Sequence, residues 1–188
     1  MPPVGRMKRI LQVAALYAVC GVFSANLGAW GAPLLKGWPL DATEVLTPLP
    51  FALLSGALLL GTSWKAVPAA LLNCATWLAA YSIAMRTVSN SSPYFGMCLA
   101  GFAGGLGVAL ADSICHPELL APKRLAGAVL IGSVAGLPFG AWASSSNGAA
   151  SWAWMCSFAI WQASMGTYLY FVCTRGRECE EVVNSQQG

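Results

Sequence analysis

Residues 125–174 read LAGAVLIGSVAGLPFGAWASSSNGAASWAWMCSFAIWQASMGTYLYFVCT, fifty consecutive positions without an ionisable acid, base or histidine. A helix needs about 20 apolar residues to cross a bilayer core about 30 Å thick. Fifty is too many for one crossing and too apolar a run for a soluble surface, so the chain must turn back on itself. Ser144-Ser145-Ser146-Asn147-Gly148 supplies the turn, because Ser, Asn and Gly accept turn geometry readily. This one stretch therefore predicts two membrane spans, 125–143 and 151–173, joined by a short polar hairpin.

The same search for uncharged runs works outward to Ile10–Leu35, Val45–Trp64, Ala66–Met85 and Thr87–Ala111. They predict spans over 10–32, 46–62, 66–85 and 94–114. The fold class expected is an all-α membrane protein, a six-transmembrane-helix bundle. The single domain covers 10–174, between a tail at 1–9 and a polar tail at 175–188. The second span is the shortest and carries Pro48 and Pro50 near its start. A β-barrel is excluded, since barrel strands alternate apolar and polar residues whereas these runs are continuously apolar.

Composition agrees. Of 188 residues, 10 are Lys or Arg and 7 are Asp or Glu, so 9% are charged and 57% are hydrophobic. A soluble domain has about 25% charged residues, and a disordered chain is polar or highly charged; both are excluded.

Basic residues concentrate on the cytoplasmic side of short loops. With six spans and the N-terminus inside, Arg6, Lys8, Arg9, Lys65, Lys123, Arg124, Arg175 and Arg177 fall inside, and Lys36 and Arg86 outside. Both termini are thus expected in the cytoplasm, and the expected location is a bacterial inner membrane. Trp30, Trp38, Trp64, Trp142, Trp152 and Trp154 fall at span ends, where half-wet indole rings are favoured. Trp77 and Trp161 lie mid-span. The apolar run after Arg9 exceeds a signal-peptide core of about 7–15 residues, so the first helix is read as uncleaved.

The helix faces carry two patterns. Gly101 and Gly105, and then Gly132, Gly136 and Gly140, recur every fourth residue, which places them on one helix face where another backbone can approach closely. They are read as helix-packing residues, either within the chain or against a second copy or another membrane protein. Pro138 falls inside the second ladder, frees a carbonyl one turn earlier and marks a place where a cavity can form. The second pattern is amides. Asn73 and Gln162 lie near the middle of their spans and Asn26 in the outer half of the first. Lipid cannot satisfy an amide, so each should face inward. With Trp77, one turn from Asn73, they are the candidate substrate-binding residues at midplane depth.

Asp112 and His116, one helix turn apart, are read as a cytoplasmic gate or, more plainly, a solvated helix cap. Seven cysteines, at 20, 74, 98, 115, 156, 173 and 179, show no metal-ligand spacing, and neither a metal nor a cofactor is expected. No H-E-x-x-H, G-x-S-x-G, phosphate loop or intramembrane carboxylate pair is present, so an enzyme is not expected. Without a basic domain, nucleic acid is not an expected partner.

Two functions compete. The first is a transporter, channel or transporter subunit for a small neutral or weakly polar solute; the lack of a charge at mid-membrane argues against an ion carrier. The alternative is a non-catalytic interaction protein, an accessory or immunity-type subunit, that packs on a partner through the glycine faces of helices 4 and 5. The lipid bilayer surrounds the protein in either case.

Overall fold

The structure, a computed structural model, describes residues 3–31, 46–60, 64–88, 90–144 and 151–187, with side chains over 5–27, 46–59, 64–88, 90–144 and 152–174. Its elements are α1 (Pro3–Gly31), α2 (Leu49–Ser55, prolonged by a wide π-type turn over Gly56–Leu60), α3 (Ala66–Val88), α4 (Pro93–Asp112), a 3-10 turn (Pro117–Leu120), α5 (Pro122–Ser144) and α6 (Ser151–Gln187). Every regular element among the described residues is helical. Proline opens several of them: Pro93 begins α4 and Pro122 begins α5, positions where a missing N–H costs nothing.

Among the described residues, four helices are long and apolar enough to cross a membrane: Gly5–Leu27 of α1, α3, α4 and α5. α2 offers Leu49–Leu59 as its apolar helix, about 17 Å at 1.5 Å per residue, roughly half a bilayer core; the last positions of the expected span 46–62 lie outside the described residues. Pro48 and Pro50 fall at its start, where proline steers the preceding residue out of helical conformation. α6 has the length, yet Gln162 and its serines and tyrosines make it less apolar. At the N-terminus, α1 starts at Pro3 rather than near residue 10 and carries exposed Arg6, Lys8 and Arg9 on its first turns.

The helices pack as a ring in chain order, α1 against α2, α2 against α3, and so on to α6, which closes back onto α1. Contacts between long neighbours run antiparallel. On α1 and α6, Arg9 lies over the Tyr170 ring, while Ser24 meets Gln162 and Asn26 meets Met155. On α3 and α4, Asn73 meets Asp112 and Thr87 lies against Gly96. One end of the ring thus collects Arg9, Lys65 and Arg124, while Arg86 lies at the other. α2 occupies the basic half: Ser55 pairs with Tyr17 at 3.2 Å and the Leu59 carbonyl reaches His116.

The closest seam is α4 on α5. A Cβ added at Gly101 would strike the Gly132 carbonyl, one at Gly105 the Ala128 carbonyl, one at Gly136 the Met97 carbonyl, and one at Gly140 the backbone and ring of Tyr94. The glycine faces are consumed within the chain. A side chain at any of these four places would push the backbones apart.

The distribution of polarity is inverted relative to a soluble protein. Leu11, Val19, Leu53, Leu71, Phe95 and Leu130 point outward and are exposed, whereas Ser24, Thr47, Ser55, Asn73, Asp112, Ser157 and Gln162 are buried. Apolar side chains outward and hydrogen-bonding groups inward are what hydrocarbon surroundings favour.

Candidate functional site

The ring surrounds a half-open cavity of about 430 Å³ to which α1 through α6 all contribute. It lies in the half of the bundle away from Arg9, Lys65 and Arg124. Its wall comes from the later part of α1 (Ala25, Asn26), the start of α2 (Thr47, Pro48, Phe51), α3 from Asn73 to Met85, α4 from Met97 to Val108, α5 at Gly136, Phe139 and Trp142, and α6 from Trp154 to Gln162. The half-length α2 makes room for it, because α2 begins at cavity depth and runs toward the basic end.

Aromatic rings form most of one side. Phe158 packs on Trp77 (centroids 5.1 Å), Phe139 (5.0 Å) and Trp154 (4.7 Å), and Trp154 packs on Trp142 (4.4 Å). Phe51 bridges Tyr17 and Trp161 at 5.5 and 5.6 Å. Trp142 and Trp154, at the ends of their helices, line the cavity, whereas Trp64 and Trp152 are exposed. Gly104 permits the wall near Trp161, whose ring occupies the space a Cβ would need.

The four residues expected to bind substrate, Asn73, Trp77, Gln162 and Asn26, all line this cavity. The two midplane amides are not bonded to each other. Asn73 donates through Nδ2 to Asp112 Oδ1 at 2.9 Å, and Gln162 donates through Nε2 to Ser24 Oγ at 2.9 Å. Asn26 donates to the Val22 carbonyl at 2.7 Å and approaches Met155 Sδ at 3.1 Å. Four buried polar atoms of wall residues have no hydrogen-bond partner: the acceptors Asn73 Oδ1 and Gln162 Oε1, the donor Trp77 Nε1 and the hydroxyl Thr47 Oγ1. A buried polar atom without a partner costs roughly 1–3 kcal/mol; these four belong to wall residues but are themselves covered, not open to the cavity. Sequence reasoning missed Thr47 and the aromatic wall. The Thr47-Pro48-Leu49-Pro50 string inside an apolar run was the signal for the first, since prolines within a span mark irregular backbone that must face protein or a cavity.

Among the described contacts the Asp112 and His116 side chains share no hydrogen bond, although the His116 N–H donates to the Asp112 carbonyl at 3.0 Å in the turn that follows α4. Asp112 is fully buried rather than solvated, and its second oxygen, Oδ2, has no partner. His116 turns the other way: its Nε2 lies 2.9 Å from the Leu59 carbonyl and its Nδ1 3.1 Å from Glu118 Oε1. The charges of Asp112 and Lys65 both reach Cys115, beyond the end of α4; burial and the Asp112 carboxylate raise the thiol above its ordinary value, and Lys65 works against them.

The structure also brings His116, Glu118 and Cys173 together, with one donor atom of each within 4.8 Å of the others. Sequence spacing gave no such set: the turn after α4 that carries Glu118 and the middle of α6 that carries Cys173 are 55 residues apart and have no common periodicity.

No protein-family model, curated protein or solved structure matches the chain. What is established is the class: an all-helical chain with four helices fit to cross a membrane and an apolar exterior, the makeup of an integral membrane protein.

Proposed function

We propose that the protein is a small transporter or channel, or the binding subunit of one, for a small neutral or weakly polar solute. The observation that carries this is the cavity to which all six helices contribute, with the polar residues Asn26, Thr47, Asn73 and Gln162 and the indole of Trp77 in its wall. Its volume falls in the range of small-molecule sites, about 300–1,000 Å³, which are commonly apolar with a few placed polar groups. The wall offers rings against which a flat or apolar body can lie, and a small rotation of the Asn73 or Gln162 amide would bring its covered, partnerless oxygen to a solute N–H or O–H.

In this reading α1 and α3–α6 cross the membrane, and α2 belongs to the second crossing of six. The end bearing Arg9, Lys65 and Arg124 faces the cytoplasm, so the cavity sits in the outer half. A half-length helix beside a binding cavity is a recurrent transporter device. The protein is proposed to be non-enzymatic and to reside in a cytoplasmic membrane. The competing role, docking a partner through the glycine faces of α4 and α5, loses its surface because those faces pack on each other.

The test is osmotic swelling of proteoliposomes containing the full chain, against a panel of small neutral amides, polyols and aromatic alcohols. Ala80 is buried on the cavity wall, so Ala80→Phe should fill the cavity and abolish flux while the protein remains monodisperse. Swelling indistinguishable from empty liposomes across the whole panel, or flux unchanged in folded Ala80→Phe, overturns the proposal.

A further inference from the structure

We propose that His116, Glu118 and Cys173 form a binding site for a divalent transition-metal ion of the zinc class, at the basic end of the bundle and separate from the cavity. A backbone carbonyl can only accept, so the 2.9 Å contact between His116 Nε2 and the Leu59 oxygen places a proton on Nε2. A neutral imidazole has one N–H, which leaves Nδ1 with a bare lone pair. That lone pair lies 3.1 Å from Glu118 Oε1, and a carboxylate also offers only lone pairs. Two acceptors at this distance repel unless a positive charge joins them, either a second proton on the ring or a bound cation.

A third donor stands beside them. Cys173, midway along α6, is fully buried, and its Sγ lies within 4.8 Å of the histidine and glutamate donor atoms. A cation there serves all three donor atoms at once. Nitrogen, thiolate and carboxylate are a zinc ligand set, and three protein ligands leave a fourth position open. The remaining contact fits as well: a metal-bound histidine ordinarily donates its other N–H to a carbonyl or carboxylate, which fixes the ring, and the Leu59 oxygen does that here. Tetrahedral zinc, with bonds of about 2.0–2.3 Å, needs its ligands roughly 3.5 Å apart, so the side chains must draw in by about 1 Å. Pro117, between the two nearer ligands, holds them on one short turn.

Such an ion would tie the turn after α4 to α6, with the end of α2 attached through Leu59. Three elements separated in sequence would then be clamped at one end of the ring, and metal supply would control how firmly that end is closed.

The experiment uses the full chain in detergent or nanodiscs, stripped with a chelator and titrated with Co²⁺ as the probe. The expected result is one equivalent of Co²⁺ with a thiolate-to-cobalt charge-transfer band in the near ultraviolet, displaced by Zn²⁺ and not by Mg²⁺. Cys173→Ser should abolish the band, and Glu118→Gln should weaken binding roughly tenfold or more, whereas Cys115→Ala should leave the band in place. Should Cys173→Ser fail to fold, Glu118→Gln decides, since Glu118 is partly exposed. Absence of the band in folded protein, a band that survives Cys173→Ser, or unchanged affinity in Glu118→Gln overturns the proposal.

Discussion

Asn73 donates a 2.9 Å hydrogen bond to Asp112, joining the third turn of α3 to the last residue of α4 where neither side chain meets solvent. The bond has a direction that matters. It uses the amide's donor and leaves the amide oxygen, on the cavity wall, without a partner. It also supplies the carboxyl group with its hydrogen bond while Oδ2 stays bare.

The donor–acceptor roles predict how each side tolerates change. Asn73→Leu removes the donor and should cost about 1.5–3 kcal/mol, the usual worth of a hydrogen bond to a charged group. Asp112→Asn keeps an oxygen that can accept from Asn73, so its cost should stay within about 1 kcal/mol. Reversible unfolding in mixed micelles measures both. Equal losses from the two would show that the carboxylate matters for something other than this bond.

Backbone proximity on the α4–α5 seam predicts a second set. Gly132→Leu and Gly136→Leu should each destabilise by about 1–3 kcal/mol, the range for overpacking a filled interface, because carbonyls of α4 occupy the space. Gly5 is the control: nothing lies within 4 Å of its added Cβ, and Gly5→Ala should be neutral or stabilise by up to about 1 kcal/mol through helix propensity. The same unfolding assay ranks the three; a neutral Gly132→Leu would mean that the seam does not form.

Charge asymmetry predicts the orientation. With single cysteines on a cysteine-free background, a membrane-impermeant reagent applied to intact cells should label residues 40, 90 and 147 and spare residue 188. Residues 40, 147 and 188 lie outside the described residues, so this expectation rests on the basic-residue split. Labelling of residue 188 from outside would mean an odd number of crossings and would invert part of the fold.

Long uncharged runs were enough to read the helices, because in lipid the cost of an unpaired backbone group leaves few alternatives; the expected Ser-Ser-Ser-Asn-Gly turn lies, beyond Ser144, outside the described residues. The same cost brought Asn73 and Gln162 inward. What local sequence did not reveal was depth and partnership. The position of Asp112, counted along its helix, suggests an interface, but burial depends on what α3 packs beside it. Spacing of four implies a shared face for Asp112 and His116, but the His116 ring takes its hydrogen bonds from Leu59 and Glu118. Trp142 and Trp154 obey the rule for aromatic belts by position, yet a cavity in one half of a bundle has its wall at the same level. Hydropathy saw α2 as apolar and could not see that it would form part of a cavity wall. His116, Glu118 and Cys173 meet through the closing of a ring, which no window of sequence contains.

Gln162 offers the sharpest separation between a structural and a functional amide. Its Nε2 is satisfied by Ser24 and its Oε1 has no partner. If the amide serves to hold α6 to α1, Gln162→Leu should cost the hydrogen bond and more. The geometry favours the opposite outcome. Leucine removes an unsatisfied buried carbonyl along with the amide donor, and replacing such a group by an apolar one of similar shape is nearly neutral or stabilising. Ser24 loses its partner, but a helix serine can turn its hydroxyl to the carbonyl one turn earlier. Gln162→Leu is therefore expected to keep stability within about 1 kcal/mol of the parent while solute flux in proteoliposomes falls at least tenfold. Ser24→Ala should do less to flux, since the amide stays in place, and cost about 1 kcal/mol by leaving Nε2 unpaired. Unfolding and flux measured on the same preparations separate the cases. A Gln162→Leu protein that loses more than about 2 kcal/mol with its remaining folded fraction still conducting solute would make the amide structural glue, and would remove Gln162 from the site.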